Sequence, residues 1–222
     1  MDRDAQRGFT LYELLVTVVV VGVIIGFGVP NLRQFQLNNR MVAASNDMLA
    51  AFALARTEAI KRKTNVAICA SPDWTAAAPS CGAVDTATDV SWHEGWVVFT
   101  DDDGDLVIDA GTDEVLRVGG PPPGNDADPA DPGNIKFAAN GNAEFFAYRG
   151  TGFGRGDLLG EPSLLAAYIY DSRGNFGADG GVSTARLFVV SPAGRAQMYR
   201  DPEFIEDICN DTANFNLTCP IL

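Results

Sequence analysis

A long apolar run near the N-terminus, broken by a single carboxylate, constrains this chain more than any other feature. The run extends from Phe9 to Val29. As a helix of 21 residues it would measure about 31 Å, enough to cross a bilayer core of about 30 Å. An ionised carboxylate in such a helix costs about 2.5–3.5 kcal/mol at the centre and less near an end, so Glu13 requires a compensating partner.

The residues before the run suggest where that partner comes from. A short polar leader ends in Gly8, directly before Phe9. Cleavage after Gly8 would give Phe9 a new α-amino group one helical turn from Glu13, and in an assembly of parallel helices that amine could equally belong to a neighbouring subunit. The alternatives are a signal peptide cut near Gly26 to Gly28 and a plain anchor helix. Neither accounts for Glu13 or for the Gly8–Phe9 junction.

The junction and the run resemble the class III signal of type IV prepilins and type II secretion pseudopilins. The matching residues are Gly8, Phe9, Thr10, Leu11, Glu13, Leu14 and Pro30. Tyr12 departs from the pattern, since an aliphatic residue is commoner there. The resemblance implies cleavage between Gly8 and Phe9 by prepilin peptidase, N-methylation of Phe9, and assembly with other pilins through the N-terminal helix, including Glu13 and Pro30.

Composition bounds the rest of the chain. Its 222 residues leave room for one further domain of about 150–180 residues with its own core. The formal net charge of −13 repels polyanions at long range.

The cysteines form two local pairs, Cys69 with Cys81 and Cys209 with Cys219. In a domain that faces the periplasm, this pattern predicts two disulfides rather than a metal site, because the spacings are too wide for metal-binding Cys-x-x-Cys motifs.

A helical pattern continues beyond Pro30 at higher polarity. Apolar residues recur there at spacings of three, four and seven. They are Met41, Val42, Met48, Leu49, Phe52, Ala55 and Ala59. We therefore expect one long helix, apolar on all sides over residues 9–30 and amphipathic over residues 31–63, whose apolar stripe lies in a protein core.

From residue 64 onward the pattern changes to short β-rich runs separated by turn signals. The predicted strands are Val66–Cys69, Trp96–Thr100, Val115–Val118, Ile135–Ala138, Glu144–Tyr148, Leu165–Tyr170, Arg186–Val190 and Ala196–Tyr199. Residues 64–222 are thus expected to form an antiparallel β domain packed on the second half of the helix. Exposed, irregular insertions are expected near residues 119–133 and 149–162.

Three further stretches resemble the GspH/FimT family of minor pseudopilins and minor type IV pilins. They are residues 38–62, residues 95–101 and the Gly194–Arg195 hairpin. The resemblance is weakest in the two insertions and after Tyr199, where the chain carries an extra tail. It implies an α+β, pilin-like fold, with a long N-terminal helix and two small antiparallel sheets. It also implies a role as a subunit of a type II secretion pseudopilus or a type IV pilus, at or near its tip.

Aspartates crowd the stretch from residue 101 to residue 113. Alternate aspartates around a glycine can direct several oxygens at one calcium ion. The candidate ligands are Asp101, Asp103, Asp105 and Asp109. The EF-hand rule is not met, because Leu106 stands where a glycine is needed and Thr112 where a bidentate glutamate is needed. The alternative, a polar hairpin turn between two strands, is the interpretation we favour.

Arg195 and Arg200 raise the question of nucleic-acid binding. In DNA-binding FimT-like pilins, a Gly-Arg-x-Arg motif in the C-terminal hairpin grips phosphates. The matching stretch here is Gly194-Arg195-Ala196-Gln197, and Gln197 cannot release a counterion. Arg200 could replace the missing arginine only if the strand folds back. Because the net charge also opposes approach, we expect no nucleic-acid partner.

No constellation in the sequence points to an enzyme. His93 is the single histidine, and neither a nucleophile elbow nor a phosphate-binding glycine loop is present. We expect a structural subunit without a cofactor, calcium being the one candidate. It would cross the bacterial inner membrane once, with its globular domain in the periplasm, and join a pilus-like filament. A DNA-uptake minor pilin and a calcium-binding tip module are the alternatives.

Overall fold

The structure is a computed structural model that describes residues 9–82, 91–125, 134–140, 144–155, 164–173 and 184–211. Within these ranges the chain forms two helices and eight strands. Helix α1 covers Leu11–Arg62, and the chain divides within it into two compact units, Met1–Asn39 and Arg40–Leu222. The single long helix predicted from the sequence is confirmed.

Among the described residues, the first unit is the start of the chain and the N-terminal part of α1 up to Asn39, which carries the apolar run. Its most apolar window of 18 residues has a mean hydropathy of 2.3, and none of it is buried. By length and composition α1 is able to cross a membrane. Pro30 lies within the helix rather than at its end, as expected for a continuous element.

In the second unit, the remainder of α1 contributes one face to the main core. The buried residues of this face are Met41, Ala44, Ser45, Met48, Ala51, Phe52, Ala55 and Ala59. Val42 was predicted to belong to this face but is 43% exposed, because the buried stripe follows the alanines at positions 44 and 51 instead. Phe52 is central to the core, and its ring lies 4.8 Å from that of Phe188 and 5.8 Å from that of Phe146.

Two antiparallel four-stranded sheets complete this core. The first consists of β1 (Val66–Ala70), β2 (Trp96–Thr100), β3 (Val115–Gly119) and β5 (Phe145–Tyr148), in the order β3-β2-β1-β5. The second consists of β4 (Lys136–Ala139), β6 (Leu165–Tyr170), β7 (Arg186–Val190) and β8 (Ala196–Tyr199), in the order β4-β6-β7-β8. All eight predicted strands are present, each within one residue of its expected ends, and the predicted pilin-like α+β architecture is confirmed.

The tail after Tyr199 forms a second helix that the sequence analysis did not predict. Helix α2 covers Pro202–Asn210, and the side chain of Asp201 caps it by accepting a hydrogen bond from the Glu203 amide. Ile205 is fully buried in a cluster on the second sheet that includes Tyr168 and Leu187. This part of the tail is therefore an integral element of the β domain.

The two insertions differ from the expectation of exposed loops in their described parts. Asn125, at the end of the described part of the first insertion, exchanges two hydrogen bonds with the backbone of Ile135, of 2.8 and 2.9 Å. In the second insertion, Gly152 and Gly154 are buried, and Gly154 pairs with Tyr148 at the edge of β5. The expectation is therefore wrong for residues 152 and 154, because the chain there continues the edge of the first sheet.

The predicted disulfide between Cys69 and Cys81 is present. It links β1 to the loop that follows it, and the two cysteines are separated by 12 in sequence number. Cys219 lies outside the described residues, so the pair Cys209–Cys219 stays a prediction.

Candidate functional site

The start of α1 carries a reciprocal pair of hydrogen bonds between Thr10 and Glu13. Glu13 Oε2 accepts from the backbone N–H of Thr10 at 2.9 Å and from its hydroxyl at 3.0 Å. The Glu13 amide in turn donates to Thr10 Oγ1 at 3.2 Å. This is a capping box, in which a threonine before the helix and a glutamate three residues later satisfy each other's free amides. This role of Thr10 was not predicted, although the spacing Thr-x-x-Glu before an apolar run indicates it.

The capping box leaves one carboxylate oxygen of Glu13 available to accept further hydrogen bonds. Both bonds that the carboxylate accepts use Oε2, and among the described residues no donor approaches Oε1. A carboxylate can accept about four hydrogen bonds through its two oxygens, so a cation could still bind at Oε1. Phe9 is 87% exposed beside it, whereas Gly8, the other half of the predicted cleavage site, lies outside the described residues.

The aspartate stretch forms the loop between β2 and β3, as the hairpin interpretation predicts. Three of the four predicted ligands come together, since the carboxylates of Asp101, Asp103 and Asp105 lie within 4.8 Å of one another. Asp109 is not part of this group. Asp103 and Asp105 are exposed, while Asp101 is fully buried.

Asp101 is already engaged by the protein itself. Its Oδ2 accepts from Arg155 Nη1 at 2.6 Å, and its Oδ1 accepts from the Leu106 amide at 3.1 Å. Arg155 Nη2 also donates to the carbonyl oxygen of Gly104 within the same loop. Burial raises the pKa of Asp101, while the Leu106 amide and the Arg155 guanidinium act in the opposite direction. A calcium ion bound to Asp101 would therefore have to compete with Arg155.

The two arginines considered for nucleic-acid binding lie at opposite ends of β8. Arg195 directly precedes the strand and Arg200 directly follows it, and both are exposed. Five residue steps along an extended strand amount to about 16 Å. Gln197, which stands where the motif needs its second arginine, is exposed and accepts a hydrogen bond from the Tyr199 hydroxyl at 2.8 Å. The hairpin therefore does not bring Arg195 and Arg200 together.

Comparisons with known proteins match two parts of the chain. The family model of the type II transport protein GspH matches residues 44–157, and that of the prokaryotic N-terminal methylation motif matches residues 3–29. The first of these covers half of the chain. No curated protein matches the sequence significantly.

Solved structures give a weaker likeness. One crystal form of the type IV minor pilin FimU from Pseudomonas aeruginosa aligns with a TM-score of 0.47 at 17% identity, covering 74% of this chain and 92% of FimU. A second crystal form aligns with a TM-score of 0.43 at 16% identity, covering 70% of this chain and 90% of FimU.

Proposed function

The chain belongs to the GspH family of type II transport proteins and is a minor pseudopilin or pilin, and from this premise we propose how it matures and where it works. Prepilin peptidase cuts it after Gly8, and Phe9 becomes an N-methylated first residue. Helix α1 holds the subunit in the bacterial inner membrane as a single span, with the β domain in the periplasm. The subunit then enters a type II secretion pseudopilus or a type IV pilus, at or near the tip.

The observation that carries this proposal is the exposure of the apolar half of α1. Every large apolar side chain from Phe9 to Val29 is exposed, from 39% at Val16 to 87% at Phe9. Burying one such side chain is worth about 1.5–3 kcal/mol, so this surface must lie in lipid or against other helices. A membrane span that later packs in a filament core meets this requirement at both stages.

Glu13 favours the second stage, the packing of the helix in a filament core. A charge left without a partner in apolar surroundings is costly, and an ion pair lowers that cost. Cleavage after Gly8 would create an amine on Phe9, and Oε1 of Glu13 is available to a cation of the same or a neighbouring subunit. Thr10 satisfies only Oε2, so capping and charge pairing are compatible.

The proposed position of the subunit near the filament tip is supported by the element that this chain adds after its two sheets. Helix α2 packs on the second sheet and adds a surface there that a terminal subunit can present. No observation favours the DNA-uptake alternative, because β8 separates Arg195 from Arg200.

Processing of the full-length chain, expressed beside a pilus or secretion machinery, tests the proposal. Mass spectrometry should find mature protein that begins at methylated Phe9. Gly8→Trp should abolish cleavage, because the peptidase must accept the residue before the cut. Gly22→Trp is the matched control, since a Cβ atom added there meets no atom within 4 Å, and it should be cleaved normally. Normal cleavage of Gly8→Trp would contradict the proposal.

A further inference from the structure

A groove lies between the second half of α1 and the β7–β8 hairpin. It has a volume of about 390 Å³. Its walls include Leu49, Phe52, Arg56, Tyr148 and Arg195. These residues come from α1, from β5 and from the residue before β8, so the groove exists only once both sheets have packed on the helix.

Two residues that line this groove each carry a buried polar atom with no partner within the part of the chain that the structure describes. The side chain of Tyr148 is fully buried, and its hydroxyl makes no hydrogen bond. The Nε atom of Arg56 is also buried and unpaired, although Arg56 Nη2 donates to the Ala193 carbonyl at 3.1 Å. An unsatisfied buried donor costs about 1–3 kcal/mol. Two such donors on residues that line one groove indicate a binding site for a hydrogen-bond acceptor.

The charge of the groove specifies what kind of acceptor fits. Arg56 and Arg195 both line it, and no acidic side chain among the described residues does so. Neither arginine forms an ion pair with a described residue, whereas Arg62, Arg117, Arg155 and Arg173 do. Burial also raises the pKa of Tyr148, which keeps its hydroxyl protonated and able to donate. The groove therefore offers donors and positive charge to an anion.

The apolar surroundings favour an anion carried by a protein. Leu49 and Phe52 line the groove beside the arginines, so a ligand with an aliphatic stem would be accommodated. Ile60, one helical turn beyond Arg56, is 48% exposed, and Phe153 is 57% exposed in the loop whose Gly152 approaches Ile60. In a chain with a net charge of −13, a polyanion is repelled at long range, while a single carboxylate on a docked protein surface meets a local cationic site.

We propose that this groove receives the carboxylate of an aspartate or glutamate from a neighbouring subunit of the filament. Guanidinium groups bind carboxylates with strong, charge-assisted hydrogen bonds, and Arg56, Arg195 and the Tyr148 hydroxyl supply the donors. The identity of the neighbour rests on the proposed function, whereas the carboxylate site itself does not.

Titration of the full, ¹⁵N-labelled chain in detergent micelles tests the site, with N-acetylglutamate amide as the probe. The Nε–H resonance of Arg56 should shift saturably, and N-acetylglutamine amide, which lacks the charge, should bind about tenfold more weakly. Arg195→Gln and Tyr148→Phe should each weaken the glutamate probe. Arg200→Gln is the matched control, because Arg200 is equally exposed at the other end of β8, and it should leave binding unchanged.

Three results would overturn the proposal. The first is the absence of a saturable shift, and the second is an equal response to both amides. The third is a tighter response to a short oligothymidylate than to the glutamate probe, which would indicate nucleic-acid phosphate instead. Tyr148→Phe and Arg195→Gln should keep the wild-type melting temperature, which shows that a loss of binding is not caused by unfolding.

The amount of the chain recovered in sheared filaments tests whether the carboxylate comes from a neighbouring subunit. Arg195→Glu should lower recovery severalfold relative to Arg200→Glu, while both variants are cleaved after Gly8. Equal recovery would overturn the assignment to a neighbouring subunit. A chain that binds the glutamate probe but is never cleaved would contradict the proposed function alone, so the two failures remain distinguishable.

Discussion

Arg155 donates to the buried carboxylate of Asp101 at 2.6 Å, although the two residues are 54 positions apart in sequence. The bond joins the loop after β2 to the chain segment that extends the edge of β5. Burial raises the pKa of Asp101, so an ionised carboxylate at this position depends on its two donors, Arg155 and the Leu106 amide. The aspartate loop is thus stabilised by a cation that the protein supplies itself.

Arg155→Ala should lower the free energy of unfolding by about 3 kcal/mol, because it leaves a buried carboxylate without its cation. Urea unfolding of the full chain in micelles, followed by circular dichroism, measures the loss. Lys61→Ala is the control, since Lys61 is exposed and its ion pair with Glu58 on the surface of α1 should contribute little to the free energy of unfolding. Adding Asp101→Asn to Arg155→Ala should recover part of the loss. Equal losses for the two single variants would contradict this account.

Millimolar calcium should leave the melting temperature of the wild-type chain unchanged. Asp101 uses Oδ1 for Leu106 and Oδ2 for Arg155. Of the three clustered carboxylates, Asp103 and Asp105 are then the two left for a metal ion, whereas calcium prefers six to eight oxygens. Thermal unfolding with calcium and with a chelator is the measurement. A rise with calcium that Asp103→Asn abolishes would instead establish the calcium-binding alternative.

Glu13→Gln should be cleaved after Gly8 but should fail to enter filaments, because glutamine can complete a capping box but has no charge to neutralise an ammonium group. Thr10→Ala separates the two roles, since it removes the cap and keeps the carboxylate. It should cost the helix about 1 kcal/mol at its start and should still assemble. Recovery in sheared filaments, normalised to cleaved protein, is the readout. If Thr10→Ala failed and Glu13→Gln assembled, capping rather than charge would be the essential function.

Stability should fall as the pH drops below about 6.5, the ordinary pKa of histidine. Burial lowers the pKa of His93, Glu94 opposes this shift and Lys136 adds to it. His93 Nδ1 also accepts a hydrogen bond from the Phe137 amide at 3.4 Å, which a protonated ring could not do. The unfolded chain therefore binds the proton more readily, and this contribution is present above pH 6.5 and lost below it. His93→Gln should flatten the dependence between pH 7.5 and 5.5, and an unchanged slope would exclude His93 as the cause.

The strands could be predicted from the sequence because each is a local pattern. The runs at Trp96–Thr100 and Leu165–Tyr170, for example, have the expected ends, since turn residues bound them on both sides. The signal for α2 was equally local, an aspartate followed by a proline at Asp201-Pro202. Helix α2 was nevertheless not predicted, because the family resemblance is weakest after Tyr199.

Other features could not be predicted because they depend on contacts between distant positions. Nothing near Asp101 in sequence indicates that its carboxylate points inward, since the cation that stabilises it is Arg155. Likewise, Arg56 and Tyr148 line one groove with Arg195 only through the packing of α1 against β5 and the β7–β8 hairpin. Sequence patterns identified the charged residues, but the fold determines which of them are paired and which are left for a partner.

The capping box at the start of α1 bears on the time that a subunit spends in the bilayer before it is used. Because Thr10 already donates two hydrogen bonds to Glu13, the carboxylate carries part of its own solvation into the membrane. If the chain enters the bilayer as proposed, these hydrogen bonds should lower the free-energy cost of an ionised Glu13 there before a charge partner arrives.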